Sequence, residues 1–152
     1  MRAPARPMYR KILVPLDGSA LAETVLPHVV ELAHRFGSEV TLMQVRTPFL
    51  RLVATVGSEA AAAAAEAERR TAEEYLEDAR RRLAEQGVTV GTVLVEGVAS
   101  ETVVDQAKSG GFDLIAMSTH GRSGLRRLVL GSVADHVVRH AGTPVLLVRA
   151  PG

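Results

Sequence analysis

The chain alternates short apolar runs with longer stretches in which apolar residues recur every three or four positions. Lys11-Ile-Leu-Val-Pro-Leu16 is apolar almost throughout, as a strand buried on both faces of a parallel sheet requires. Pro15 has no N–H and is expected to end its ladder. After Asp17-Gly-Ser19, the residues Ala22, Val25, Leu26, Val29, Ala33 and Phe36 fall at helical spacing, with Ser19 as the expected N-cap and Gly37 as the stop. Glu39 to Val45 reads as a second strand, broken by Thr47-Pro48, and Phe49 to Gly57 has no period and reads as a loop. Ser58 to Gly87 predicts a long helix: Ala60 to Ala65 favours helix intrinsically, and Ala72, Leu76, Ala79 and Leu83 form one stripe among Glu and Arg. Val88 to Val95 is a third strand, and Ser100 is placed to cap a helix carrying Val103, Val104 and Ala107 up to Gly110-Gly111. Asp113 to Met117 is a fourth strand. Val133, Ala134, Val137, Val138 and Ala141 define a last helix with Gly142 just past its end, and Pro144 to Arg149 is a fifth strand.

Strands alternating with helices at this spacing predict right-handed βαβ units. The expected fold is α/β: a single doubly wound domain over residues 10–152, with a five-stranded parallel sheet in the order 3-2-1-4-5 and helices on both faces. Residues 1–9 are expected to form a flexible arm. In such a sheet a ligand sits beyond the carboxyl ends of the strands where the strand order reverses, here between the first and fourth strands. Asp17-Gly-Ser19 follows the first, and Ser118 to Gly124 follows the fourth.

The segment Met117 to Ser132 therefore carries the candidate chemistry. Gly121, Gly124 and Gly131 let the backbone turn and approach a ligand closely, and successive N–H groups form an anion-binding nest. Gly131-Ser132 opens a helix whose free N–H groups and positive dipole end suit a phosphate. Ser123 and Ser132 add hydroxyls, and Arg122, Arg126 and Arg127 add charge-assisted donors. An ordinary structural connection would use the same glycines. Asp17 is the other singular residue, placed to accept bonds from sugar hydroxyls, to assist a divalent cation, or simply to cap the helix that follows.

Composition narrows the alternatives. With 152 residues and 47% apolar content the chain suits one domain with a core. The 18 basic and 17 acidic residues leave a net charge of +1, too little for a global field that would hold nucleic acid or an anionic membrane. Two Tyr, three Phe and no Trp give few stacking platforms for single strands. The absence of cysteine excludes disulfides, thiolate metal sites and cysteine catalysis. The basic, Pro-rich start is followed by no apolar h-region, so a cytoplasmic location is expected.

Several constellations are set aside. The chain has no Walker motif and no Gly-x-Gly-x-x-Gly after a strand. His136 and His140 share a helix face without a third ligand nearby in sequence, and no Gly-x-Ser-x-Gly elbow surrounds Ser132. Arg80-Arg-Arg82 and Arg69-Arg70 read as a solvated, charge-balanced helix face. His120 could bond a phosphate, move a proton or serve only the loop. No arranged carboxylate pair is present to drive fast acid–base chemistry.

Four blocks in order, Lys11-Ile-Leu-Val-Pro-Leu-Asp-Gly-Ser19, Ser118-Thr-His-Gly-Arg-Ser-Gly124, Leu130-Gly-Ser132 and Thr143-Pro-Val-Leu-Leu-Val148, resemble the universal stress protein family over about Arg10 to Arg149. The resemblance implies the same five-stranded fold and, in the family's nucleotide-binding branch, a motif Gly-x2-Gly-x9-Gly-Ser/Thr. Gly121, Gly131 and Ser132 fit its second part, whereas Ser118 stands where the first glycine would be. By the same resemblance Asp17 would lie near a ribose, backbone groups of Val45 would meet adenine, and Pro15 would line that pocket. Leu16, Met117, Ser118, His120, Gly121, Arg122, Gly124, Gly131, Ser132 and Val133 complete the implied site.

The implied ligand is ATP or another adenine nucleotide, with Mg²⁺ or Mn²⁺ as the accompanying ion. The implied role is a dimeric stress-response sensor or regulator with an unidentified protein partner and slow ATP hydrolysis at most. Two alternatives stay open: a dimeric interaction module of the same fold that binds no nucleotide, and a slow Mg²⁺-dependent ATPase. The family pairs its last strand across a dimer, and the apolar edge Val145 to Val148 independently asks for a cover.

Overall fold

The apolar runs become strands because helices cover both faces of the sheet, nearly completely at its central strands and only in part at its edges. The computed structural model of the chain describes residues 8–46, 57–119 and 131–151. Its strands are β1 (Lys11–Leu16), β2 (Glu39–Arg46), β3 (Thr89–Glu96), β4 (Leu114–Thr119) and β5 (Val145–Arg149). They form one parallel sheet in the order β3-β2-β1-β4-β5, as the periodicity predicts. The helices are α1 (Leu26–Phe36), α2 (Ser58–Glu85), α3 (Ala99–Ser109) and α4 (Ser132–His140), with a 3-10 turn at Ala22–Val25.

Alternation along β1 divides the core. Ile12 and Val14 pack with α1 and α2 through Val29, Ala33, Leu76 and Leu83. Leu13 faces the opposite layer, where Val103 and Ala107 of α3 meet Ala134 and Val137 of α4. Ile12, Leu13 and Val14 are wholly buried, each stabilising the fold by roughly 1.5–3 kcal/mol. Tyr9 joins the first layer edge-on to Phe36, with ring centroids 5.3 Å apart, and its carbonyl accepts from Ser38 Oγ at 2.5 Å. Of the arm expected over residues 1–9, the first seven lie outside the described residues.

Three local expectations need correction. The helix expected after Ser19 starts as the 3-10 turn, with α1 proper beginning at Leu26. Pro27 has no N–H to offer the Glu23 carbonyl in an α-type bond, and the Leu26 N–H takes that carbonyl instead. Ser19 still accepts the Ala22 N–H, at 3.1 Å. Ser100 is not a cap: α3 begins at Ala99 after Val98, with no side-chain cap bond. The chain turns there at Gly97, where an added Cβ would fall 2.3 Å from Thr102 Oγ1. Finally, Pro15 ends only one of the ladders of β1. Pairing with β2 continues to Leu16 opposite Gln44, whereas pairing with β4 stops at Leu13 opposite Ile115.

Candidate functional site

That one-sided ending opens the crevice. At their N-terminal ends β1 and β4 are clamped: the Asp113 carboxylate accepts the Arg10 and Lys11 N–H groups at 2.9 and 3.1 Å, and the Asp113 N–H donates to the Lys11 carbonyl at 3.0 Å. At their C-terminal ends they part beyond Leu13, because Pro15 has no N–H to continue the ladder. A cavity of about 220 Å³ lies at this end, at the reversal of strand order where doubly wound sheets place their ligands.

The cavity wall assembles residues distant in sequence. Pro15, Leu16 and Asp17 come from the end of β1, Val45 from β2, Met117 and Ser118 from β4, and Gly131, Ser132 and Val133 from the start of α4. Nine of the predicted site residues thus share one cavity. His120, Gly121, Arg122 and Gly124, with Ser123, Arg126 and Arg127, lie outside the described residues. Leu21, Ala22, Met43, Ala99, Val103 and Ala134 also line the cavity and were not singled out from sequence. Met43, Val103 and Ala134 are core residues of the α3/α4 layer, so their periodicity announces burial and nothing of the cavity beyond it.

Two features of the wall are polar. The first is the start of α4, where the Asp135 N–H donates to the Gly131 carbonyl at 3.0 Å as the first helical bond. The amides of Ser132, Val133 and Ala134 therefore have no carbonyl four residues back within the helix, and all three residues line the cavity. Gly131 holds φ +84° and ψ 154°, a region that glycine alone adopts freely. The second is Asp17, the one acidic residue on this wall among the described residues. Its Oδ1 accepts the Ser19 N–H at 2.9 Å and the Ser19 hydroxyl at 2.5 Å, an Asx-type turn that fixes the carboxylate at the cavity mouth.

A second cavity, of about 570 Å³, shares Asp17 and Val45 and runs toward Gln44, Arg46, Thr71 and Tyr75. Burial first, then the Glu23 charge, push the Tyr75 phenol well above the ordinary tyrosine range, so it stays neutral. Among the described residues no group of three or more His, Asp or Glu gathers as a metal site. His136 and His140 lie on α4 with ring centroids 4.4 Å apart and planes tilted by 46°, and neither lines the cavity.

The universal stress protein family model matches residues 8–149. Universal stress protein MJ0531 of Methanocaldococcus jannaschii is 35% identical over 146 residues, which cover 95% of this chain and 84% of that protein. Universal stress protein MJ0577 of the same organism is 32% identical, over 93% of this chain and 96% of its own. The solved structure of MJ0577 superposes with a TM-score of 0.80 over 95% of this chain and 99% of that one. A universal stress protein solved in complex with cAMP superposes at a TM-score of 0.68 with 20% identity, over 93% of this chain and 97% of its own, a likeness of fold.

Proposed function

The chain belongs to the universal stress protein family, and from that premise we propose that it binds an adenine nucleotide, ATP foremost, as a dimeric cytoplasmic stress-response regulator. One observation carries the reading: Asp17 and the first three residues of α4, whose amides have no acceptor within the helix, line the same cavity at the switch point. A nucleotide needs an acceptor for its ribose and a row of donors for its phosphates, and residues able to supply both line one crevice. Val45 and Met43 supply apolar surface for the base.

A divalent ion would ride on the triphosphate, with Asp17 as the single described carboxylate on the wall within reach of it. No described group on the wall is a strong general base, so the mechanism is ligand-dependent conformational change or partner regulation, with hydrolysis slow at most. The dimer would form through β5, and the regulated protein would read the nucleotide-bound state.

Isothermal titration with ATP, ADP, AMP, cyclic AMP and adenosine, each with and without Mg²⁺, tests the proposal. Saturable heat for ATP that is lost in Asp17→Ala is the expected outcome. Absence of saturable heat up to millimolar nucleotide would sink it. The serine at the first motif position favours a second reading, an interaction module with an empty crevice, and the same titration decides between them.

A further inference from the structure

Ser118, the last residue but one of β4, lines the crevice, yet its hydroxyl is occupied elsewhere. Its Oγ lies 2.8 Å from Thr24 Oγ1 and 3.1 Å from the Ala22 carbonyl, both on the 3-10 turn that follows Asp17. Thr24 Oγ1 donates to the Leu21 carbonyl at 2.7 Å, which commits its only proton, so the single Ser118 proton is shared between the Ala22 carbonyl and Thr24 Oγ1. The backbone of Ala22 carries the link onward. The Ala22 N–H donates to Ser19 Oγ at 3.1 Å, and Ser19 Oγ donates to Asp17 Oδ1 at 2.5 Å. A chain of hydrogen bonds thus joins the end of β4 to the carboxylate at the end of β1, across the gap where the two strands no longer pair.

We infer that Ser118 is a positioning residue of the nucleotide site: it latches the turn at Ala22 and Thr24 and thereby sets the Asp17 carboxylate toward the ligand's sugar. The inference rests on the nucleotide reading above and adds that the serine completes the site instead of obstructing it. A hydroxyl turned onto the turn leaves the phosphate side to the start of α4. Coupling of this kind passes through a contiguous, discretely bonded network, and deleting any one member releases the same constraint.

The two roles separate by ligand. Loss of the latch acts at the sugar, so adenosine and ATP suffer alike, whereas a side chain crowding the phosphates would penalise ATP alone. Titration of Ser118→Ala and Thr24→Val should show each binding both ligands roughly five- to tenfold more weakly, with the double variant no weaker than either single one. Thr24→Ser, which keeps the hydroxyl, should restore the affinity. Combined with Asp17→Asn, the Ser118→Ala loss should largely vanish, a coupling that a purely structural defect would not show.

Hydrogen exchange of residues 17–25 in the ligand-free protein should quicken in both single variants and gives a readout independent of any ligand. A parent that binds while Ser118→Ala and Thr24→Val match it within about twofold overturns the latch alone. So does a Ser118→Gly variant that binds ATP more tightly than the parent. A parent that binds neither ligand overturns the nucleotide reading and this inference together.

Discussion

At the residue scale, Gly131 shows how backbone demand and ligand chemistry coincide. Among the described residues nothing lies within 4 Å of a Cβ built on it, yet its φ of +84° strains any other residue. Gly131→Ala should therefore cost about 1–3 kcal/mol in chemical denaturation, without any clash. A bulkier change such as Gly131→Val would test backbone strain before it tested a phosphate site. Ser132 is the cleaner probe, because it is exposed at the first helical position. Ser132→Ala should leave stability within about 0.5 kcal/mol and weaken ATP while sparing adenosine, as read by titration; equal loss for both ligands would move the phosphates away from α4. Gly131 and Ser132 were legible in sequence because a glycine before a helix advertises its backbone. The partners of Ser118 were not, since Thr24 lies 94 positions away in the chain and only the folded sheet brings them together.

At the element scale, what periodicity reveals is burial, and it reveals little of where polar ends stop. β1 and β4 stood out because Ile12, Leu13, Val14, Ile115 and Ala116 are fully buried. The helix ends were harder to read: Ser19 and Ser100 have the same capping chemistry, but Pro27 turned one start into a 3-10 turn and Gly97 moved the other. α2 contributes mostly through one face. Its ion pairs, such as Arg69 with Glu66 and Glu73, and Arg80 with Glu77, are exposed and contribute little to stability. Arg82 differs by reaching Glu23 on the 3-10 turn at 2.7 Å.

Beside that pair, the buried Tyr75 hydroxyl has no hydrogen-bond partner of good geometry among the described residues, and its raised pKa makes a pH prediction. Below the unfolded value of about 10, both states hold the phenolic proton and the contribution is fully present. Above it the unfolded chain ionises first and binds fewer protons than the native state, so stability falls as pH rises. Tyr75→Phe should remove this alkaline loss and be neutral or stabilising at pH 7, as denaturation midpoints across the alkaline range would show. An unchanged pH slope would contradict the burial assigned to the phenol.

At the scale of the whole molecule, the sheet has two unequal edges. β3 exposes Thr89, Gly91, Thr92 and Glu96, a polar margin that resists further pairing. β5 is Val-Leu-Leu-Val-Arg with its four apolar residues only half-buried, and Val138 of the neighbouring α4 is 47% exposed. The Ile115 N–H donates to the Pro144 carbonyl, and the Ala150 N–H donates to the Thr119 carbonyl, both at 3.0 Å. Even-numbered residues of β5 thus bond inward to β4, and parallel alternation turns the backbone groups of Val145, Leu147 and Arg149 toward the open edge.

A charge at Leu147 would be a poor test of the proposed dimer, because that side chain packs against the α3/α4 core layer. Arg149 has an exposed side chain and an outward N–H, so Arg149→Pro deletes one edge donor while leaving the β4 ladder and the core in place. Sedimentation of the parent should give twice the 16.2 kDa chain mass. In Arg149→Pro the concentration for half-dissociation should rise roughly thirtyfold, the worth of two interprotomer hydrogen bonds, one donated by each protomer. A parent that sediments at the chain mass, or a variant that dissociates no more readily than the parent, would require another cover for this edge.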